Sequence, residues 1–165
     1  MTQSTPDTEN PSFTLVITGA PYSSQAPQTA LSFAKATVAA GHTIDRVFLY
    51  GDGVHLASAL VTAPSDETHW PKHWAAFLEK HEVPGVACIA SALRRGLVDS
   101  DEQKRYQLGA NNLLTPFAIA GLGDWVEGNI KSTRTIYFHA GACLWACSAH
   151  SHRHPPAPGR AAHDP

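Results

Sequence analysis

Five short runs of β-forming residues, set between helical segments, constrain this chain more tightly than any other feature. Phe13-Thr14-Leu15-Val16-Ile17-Thr18 is the first, and its near-continuous apolar character suits a strand covered on both faces. Residues 25–40 follow with Ala30, Leu31, Ala34 and Val38 at helical spacing, and Gly41 stands where a left-handed residue ends a helix. Ile44 to Tyr50 is the second strand, carried by the β-formers Val47, Phe48, Leu49 and Tyr50. A helix between two such strands is a βαβ unit. Its crossover is right-handed almost without exception, and its strands are parallel.

The same alternation continues to residue 138. Gly51-Asp52-Gly53 signals a turn into a short helix over Val54 to Leu60, with Asp52 expected to cap it. A linker with Pro64 leads to a helix from about Glu67 to Glu82, where Pro71 is tolerated only in the first turn. Trp70, Trp74, Phe77 and Leu78 recur at three and four, the spacing of a core face. Val86 to Ala90 is the third strand. Ser100-Asp101-Glu102 opens a helix to about Leu108 that Gly109 is expected to end. Phe117–Ala120 reads as a brief fourth strand, Gly121-Leu122-Gly123 as the lead into a helix through Ile130, and Arg134–Phe138 as the fifth strand. The expected fold is α/β, a three-layer α/β/α sandwich around a mostly parallel five-stranded sheet.

Composition removes several function classes. A formal net charge of −2 gives no electrostatic footprint for direct nucleic-acid binding. No apolar run approaches the roughly 20 residues that span a bilayer. Residues 1–12 are polar, with neither a basic nor an apolar signal region, and are expected to be a disordered lead-in. The domain is then residues 13–139, followed by a Cys/His/Pro-rich tail over 140–165 that is also expected to be disordered. Three cysteines, two of them in that tail, are no disulfide framework, and a reducing cytoplasm is the natural compartment. Gly19 lacks the partners of a G-x-G-x-x-G or P-loop pattern, so no nucleotide cofactor is expected. His69 and His73 are four apart, but no carboxylate or cysteine motif accompanies them, and a solvated face is expected. Cys143-x3-Cys147 with His150, His152 and His154 matches no zinc spacing, so no metal is expected there either.

The chemistry centres on one segment. Cys88 is the only cysteine among the first 142 residues and lies near the C-terminal end of its strand. In open parallel α/β sheets, that end is where reactive groups collect. A thiol reacts as thiolate, which nearby cations favour, and Arg94 and Arg95 follow within seven residues. A lone cysteine in an apolar strand is also a common inert core residue. Local sequence leaves both readings open.

Cys88-Ile89-Ala90-Ser91-Ala92-Leu93-Arg94-Arg95-Gly96-Leu97-Val98-Asp99 resembles the active-cysteine segment of the DsrE/TusD sulfur-relay family. Phe48-Leu49-Tyr50-Gly51-Asp52-Gly53-Val54 and Ile119-Ala120-Gly121-Leu122-Gly123 resemble it too, in the right order and spacing. The resemblance implies a sulfurtransferase in which the Cys88 thiolate takes the outer sulfur of a donor persulfide and passes it to a partner thiol. Ser91, Arg94 and Arg95, by their proximity to Cys88 in sequence, are candidates to steady the perthiolate. Tyr22 joins them through a Gly-x-x-Tyr turn, here Gly19 to Tyr22, that lies beside the family's active cysteine. No cofactor is implied. The implied partners are two smaller homologous subunits in a heterohexamer, a sulfur-donor carrier protein, and an acceptor carrier with a terminal cysteine. The pathway would be tRNA 2-thiouridine synthesis or sulfur oxidation, and the isolated chain would show an apolar patch. The alternative is a non-catalytic structural or assembly subunit on the same fold, with Cys88 buried and inert. A small-molecule-binding α/β domain is weaker, because no phosphate or acid–base constellation is present.

Overall fold

The computed structural model describes residues 10–141. Five strands run through it: β1 (Ser12–Ile17), β2 (Thr43–Leu49), β3 (Gly85–Cys88), β4 (Ala118–Ala120) and β5 (Arg134–Phe138). Five α-helices lie between them: α1 (Ala26–Ala39), α2 (Trp70–His81), α3 (Ile89–Leu93), α4 (Ser100–Arg105) and α5 (Leu122–Lys131). A 3-10 helix over Gly51–Ala57 follows β2. The sheet order is β4-β3-β2-β1-β5, and all four pairings are parallel.

That order divides the helices unequally. From β1 to β4 the chain steps one way across the sheet, so its right-handed crossovers all fall on one face. β5 returns to the far side of β1, and α5 is therefore the one described helix on the opposite face. The core follows this division. Leu15, Ile17, Val47, Leu49 and Ala87 point into the larger cluster with Ala30 and Leu31 of α1, Trp74, Phe77 and Leu78 of α2, and Ala92 of α3. Val16, Phe48, Val86 and Cys88 point the other way, toward Trp125 of α5. Trp74 is fully buried, and its indole N–H is not stranded there because it donates to the Pro27 carbonyl at 3.1 Å.

Several boundaries differ from the sequence expectation, each for a local reason. The turn after β2 starts winding at Gly51, three residues before the expected Val54, because the Gly53 N–H bonds to the carbonyls of Thr18 and Tyr50. α2 begins at Trp70 rather than Glu67, since Pro71 belongs in a first turn and His69 caps it, with Nδ1 accepting from the Lys72 amide. β3 stops at Cys88, and the helix-forming Ala and Leu of the next residues wind into α3 instead of continuing the strand. Gly41 does end α1, with φ +80° and the paired bonds from Gly41 and His42 to Val38 and Thr37. α4 ends by the same motif one turn early. Gln107, not Gly109, takes the left-handed position, and Leu108 bonds back to the Gln103 carbonyl.

Asp99 caps α4, its Oδ1 accepting from the amides of Asp101 at 3.0 Å and Glu102 at 2.8 Å. Asp99→Ala is expected to lower stability by about 1 kcal/mol. Urea unfolding would show this as a lower midpoint at unchanged slope.

Candidate functional site

Sheet register builds the site. Phe138, Ile17, Leu49 and Ala87 pair in turn across β5, β1, β2 and β3. The next residues are His139, Thr18, Tyr50 and Cys88, and Cys88 lies opposite Ala120 of β4. The ladder carries on into this row, with Thr18 N–H donating to the Phe138 carbonyl and Tyr50 N–H to that of Ile17, both at 3.0 Å. Side chains alternate along strands, so the row stands at the C-terminal edge on the face that α5 covers.

A cleft of about 580 Å³ opens along this row. Val16, Phe48 and Tyr137 lie in the row behind and form its floor, while Leu122 and Trp125 of α5 form one wall. Tyr137 stacks on His139 at a centroid separation of 5.8 Å, and His139 Nδ1 lies 3.1 Å from Thr18 Oγ1. β1 is where the sheet order reverses, so the His139 end of the cleft sits at the topological switch point.

Cys88 is 2% exposed and packs with Val16, Phe48, Val86, Ala120 and Trp125. Val16, Phe48 and Trp125 also line the cleft, whereas Cys88 itself does not. Because Cys88 directly precedes α3, the first amides of that helix follow it without intrahelical acceptors.

The other predicted site residues separate into two groups. Ser91 is buried and its Oγ accepts from the Gly51 amide at 3.1 Å, which ties α3 to the turn after β2. Arg95 lines the cleft, and its guanidinium bonds the Asp52 carboxylate at 2.8 Å and the Ser91 carbonyl at 3.2 Å. Those two are joined through the turn after β2. Arg94 is exposed and is not in the cleft lining. Tyr22 is also outside it, with its hydroxyl donating to the Thr68 carbonyl at 3.0 Å and accepting from the Trp70 amide.

Asp52 does not cap the 3-10 helix as expected. It lies inside the first turn rather than before it, and its carboxylate goes to Arg95. With the Asp52 side chain 65% exposed, this pair is worth at most about 1 kcal/mol, and an arriving anion can take the guanidinium from it. Thr18, Tyr50, Trp125, Tyr137 and His139 were not anticipated from sequence. The strand-end rule applied to every strand would have found Thr18, Tyr50 and His139, each the first residue past its strand.

His73 is exposed, as expected, and among the described residues no three His, Cys, Asp or Glu side chains group to hold a metal. Cys143, Cys147, His150, His152 and His154 lie outside the described residues. No described helix is long and apolar enough to cross a membrane.

A model of the DsrE/DsrF-like family matches residues 12–138. The chain belongs to that family. It is 43% identical over 126 residues to DsrE of Allochromatium vinosum, covering 76% of this chain and 97% of that one. It is 37% identical over 129 residues to the sulfurtransferase TusD of Proteus mirabilis, covering 78% of this chain and 99% of that one. The crystal structure of the E. coli ychN protein shares the fold, with a TM-score of 0.60 and 21% identity over 78% of this chain and 99% of that one.

Within this DsrE/DsrF-like chain, Trp125 packs against the cluster that holds Cys88, and it can be removed without touching the sheet. Trp125→Ala is expected to speed alkylation of Cys88 by about tenfold or more. An opening that costs 1.4 kcal/mol less is tenfold more populated, and an indole contributes more burial than that. Iodoacetamide labelling followed by peptide mass mapping measures it. An unchanged rate would show that the sulfur is shielded by something other than α5.

Proposed function

We propose that this chain is a sulfurtransferase subunit that carries a sulfane sulfur on Cys88 as a persulfide. The observation that carries the reading is the position of Cys88, the last residue of β3, under a cleft at the C-terminal edge of a parallel sheet. The names of the relatives TusD and DsrE support the reaction class. In the first step the Cys88 thiolate attacks the outer sulfur of a donor persulfide, and the donor leaves as a thiolate. A partner thiolate then attacks the outer sulfur of Cys88–S–S⁻ in its protonated form, and the Cys88 thiolate leaves in turn. Both steps are thiolate attacks on sulfur, redox-neutral overall, governed by access and leaving-group pKa. Arg95 and the leading amides of α3 are the groups placed to hold the perthiolate charge, with Ser91 fixing the turn that bears Asp52. Arg94 and Tyr22 lie outside the cleft lining.

We place the chain in the reducing cytoplasm, where a thiol used repeatedly stays reduced. Its relay partners are two smaller homologous subunits, a donor carrier and an acceptor carrier with a terminal cysteine, feeding tRNA 2-thiouridine synthesis or sulfur oxidation. Leu122, Val126 and Ile130 support an assembly. They are exposed at four-residue intervals along α5, an apolar row on a helix that no other described element covers from outside.

The burial of Cys88 favours a second reading, a structural subunit with an inert thiol. Intact-mass analysis of the reduced chain after incubation with glutathione persulfide separates the two. The relay reading expects a reducible one-sulfur adduct that maps to Cys88. A chain that stays unmodified there, alone and with Trp125 removed, would leave the structural reading standing.

A further inference from the structure

On the face of the sheet away from α5, helices α1 and α2 leave a groove between them that the proposed relay does not use. It has a volume of about 410 Å³, and Phe77, Val38, Ala39 and Ala76 form its apolar lining. Phe77 is buried, while Ala39 and Ala76 are exposed. The rest of the lining is basic: Lys35 on α1, and His73, Lys80 and His81 on α2. His81 lies against the Phe77 ring, with centroids 4.7 Å apart. No carboxylate lines the groove. α1 contains no acidic residue, and Glu79, the one in α2, is outside the lining. Among the described residues, no carboxylate comes within ion-pair distance of any of these basic side chains. In a chain with a formal net charge of −2, this is a local excess of the opposite sign.

Spacing selects the occupant. His73, Ala76, Phe77 and Lys80 stand at i, i+3, i+4 and i+7, and Lys35, Val38 and Ala39 at i, i+3 and i+4. Those are the intervals at which one helix meets another. The two alanines let a third backbone approach closely, as ridges-into-grooves packing requires. From His73 to Lys80 the groove runs about 10 Å along α2, two turns of a helix laid beside it. From this placement we infer that the groove docks an acidic amphipathic helix of a partner protein. The apolar stripe of that helix seats over Phe77 between Ala39 and Ala76, and its carboxylates pair with Lys35 and Lys80. The crossovers that hold α1 and α2 lie on the sheet face opposite α5, so a helix docked there leaves the Cys88 cleft open. The inference stands apart from the persulfide reading of Cys88.

The test uses the full chain and a fluorescein-labelled peptide of alanine, glutamate and leucine, about 18 residues long so that it holds a helix. Its leucines stand at i, i+3, i+4 and i+7, and its glutamates flank them. Anisotropy should show saturable binding below about 1 mM. Amide shifts on binding should cluster at residues 35–39 and 73–81. Raising salt from about 50 to 300 mM should weaken binding severalfold, since these charges are exposed. Lys35→Glu with Lys80→Glu should weaken it at least tenfold and leave the melting curve in place, because both side chains are at the surface. Ala76→Arg separates a seated helix from mere attraction of charge. It adds a cation but fills the seat, so it should weaken binding at least tenfold. Stronger binding to Ala76→Arg, equal binding to the reversed-charge variant, or equal binding of a peptide with lysine for glutamate would each overturn the inference. So would shifts confined to other residues, or no saturation by about 1 mM. Displacement of the peptide by equimolar dodecanoate would overturn it too, and would give the groove to a small anionic amphiphile.

Discussion

Cys88→Ser is expected to abolish sulfur delivery to a partner thiol, a fall of at least about a hundredfold against wild type. The warrant is chemical. A serine hydroxyl stays protonated near neutral pH and forms no S–S bond, so neither the loading step nor the release step has a counterpart. Serine also puts a hydroxyl among Val16, Phe48, Val86 and Trp125, at a cost of about 1–3 kcal/mol if it finds no partner. Lost activity in that variant alone could therefore report a loosened sheet. Cys88→Ala, which leaves the cluster apolar, should lose delivery equally while retaining most of the stability. Delivery is read as transfer from glutathione persulfide to a cysteine-ended peptide. Retention of wild-type transfer by the folded alanine variant would end the relay reading.

The parts of this fold set by local pattern were legible in the sequence, and the parts set by where the chain returns were not. β5 falls on Arg134–Phe138 as the pattern indicated, and Gly41 ends α1 where a left-handed residue was needed. Runs of β-formers and a single C-terminal glycine are decided within a few residues. α3 was missed because Val86 to Ala90 is apolar throughout, and an unbroken apolar run does not distinguish a buried strand from the helix that succeeds it. Asp52 was misjudged because its role depends on Arg95, 43 residues away in sequence. Cys88 could be singled out because it is solitary and precedes two arginines. Only the sheet order reveals that Trp125 packs against its cluster and that His139 shares its row.

What seats α5 on that face is a buried cation, and its removal carries the largest stability effect expected for this face. Arg46 lies in β2 with its side chain 9% exposed. It donates to the Asp124 carbonyl at 2.6 Å, to Asp124 Oδ1 at 3.0 Å and to Glu127 Oε2 at 3.3 Å. Gly128 allows this approach, since a Cβ there would come within 2.9 Å of Thr14 Oγ1 and 3.2 Å of Arg46 Cδ. Trp125 is the residue next to Asp124, so the clamp also fixes a side chain that packs against the Cys88 cluster.

Arg46→Leu is expected to cost about 1.5–3 kcal/mol, the range for hydrogen bonds to charged groups. The cost stays at that level because the side chains of Asp124 and Glu127 are 39% and 48% exposed, and water takes the place of the guanidinium. Glu127 also gives the clamp a pH dependence. The hydrogen bond from Lys131, then the charges of Lys131 and Arg46, hold its carboxyl below the usual glutamate range. A depressed carboxylate contributes stability that is present above the unfolded value and lost as pH falls through the lowered one. Thermal unfolding of wild type should therefore lose more stability on acidification than Glu127→Gln does. Alkylation of Cys88 should accelerate in Arg46→Leu, as is expected for Trp125→Ala, since the first loosens the indole and the second removes it. An Arg46→Leu protein with wild-type stability and wild-type thiol protection would show that α5 is held by its apolar contacts alone.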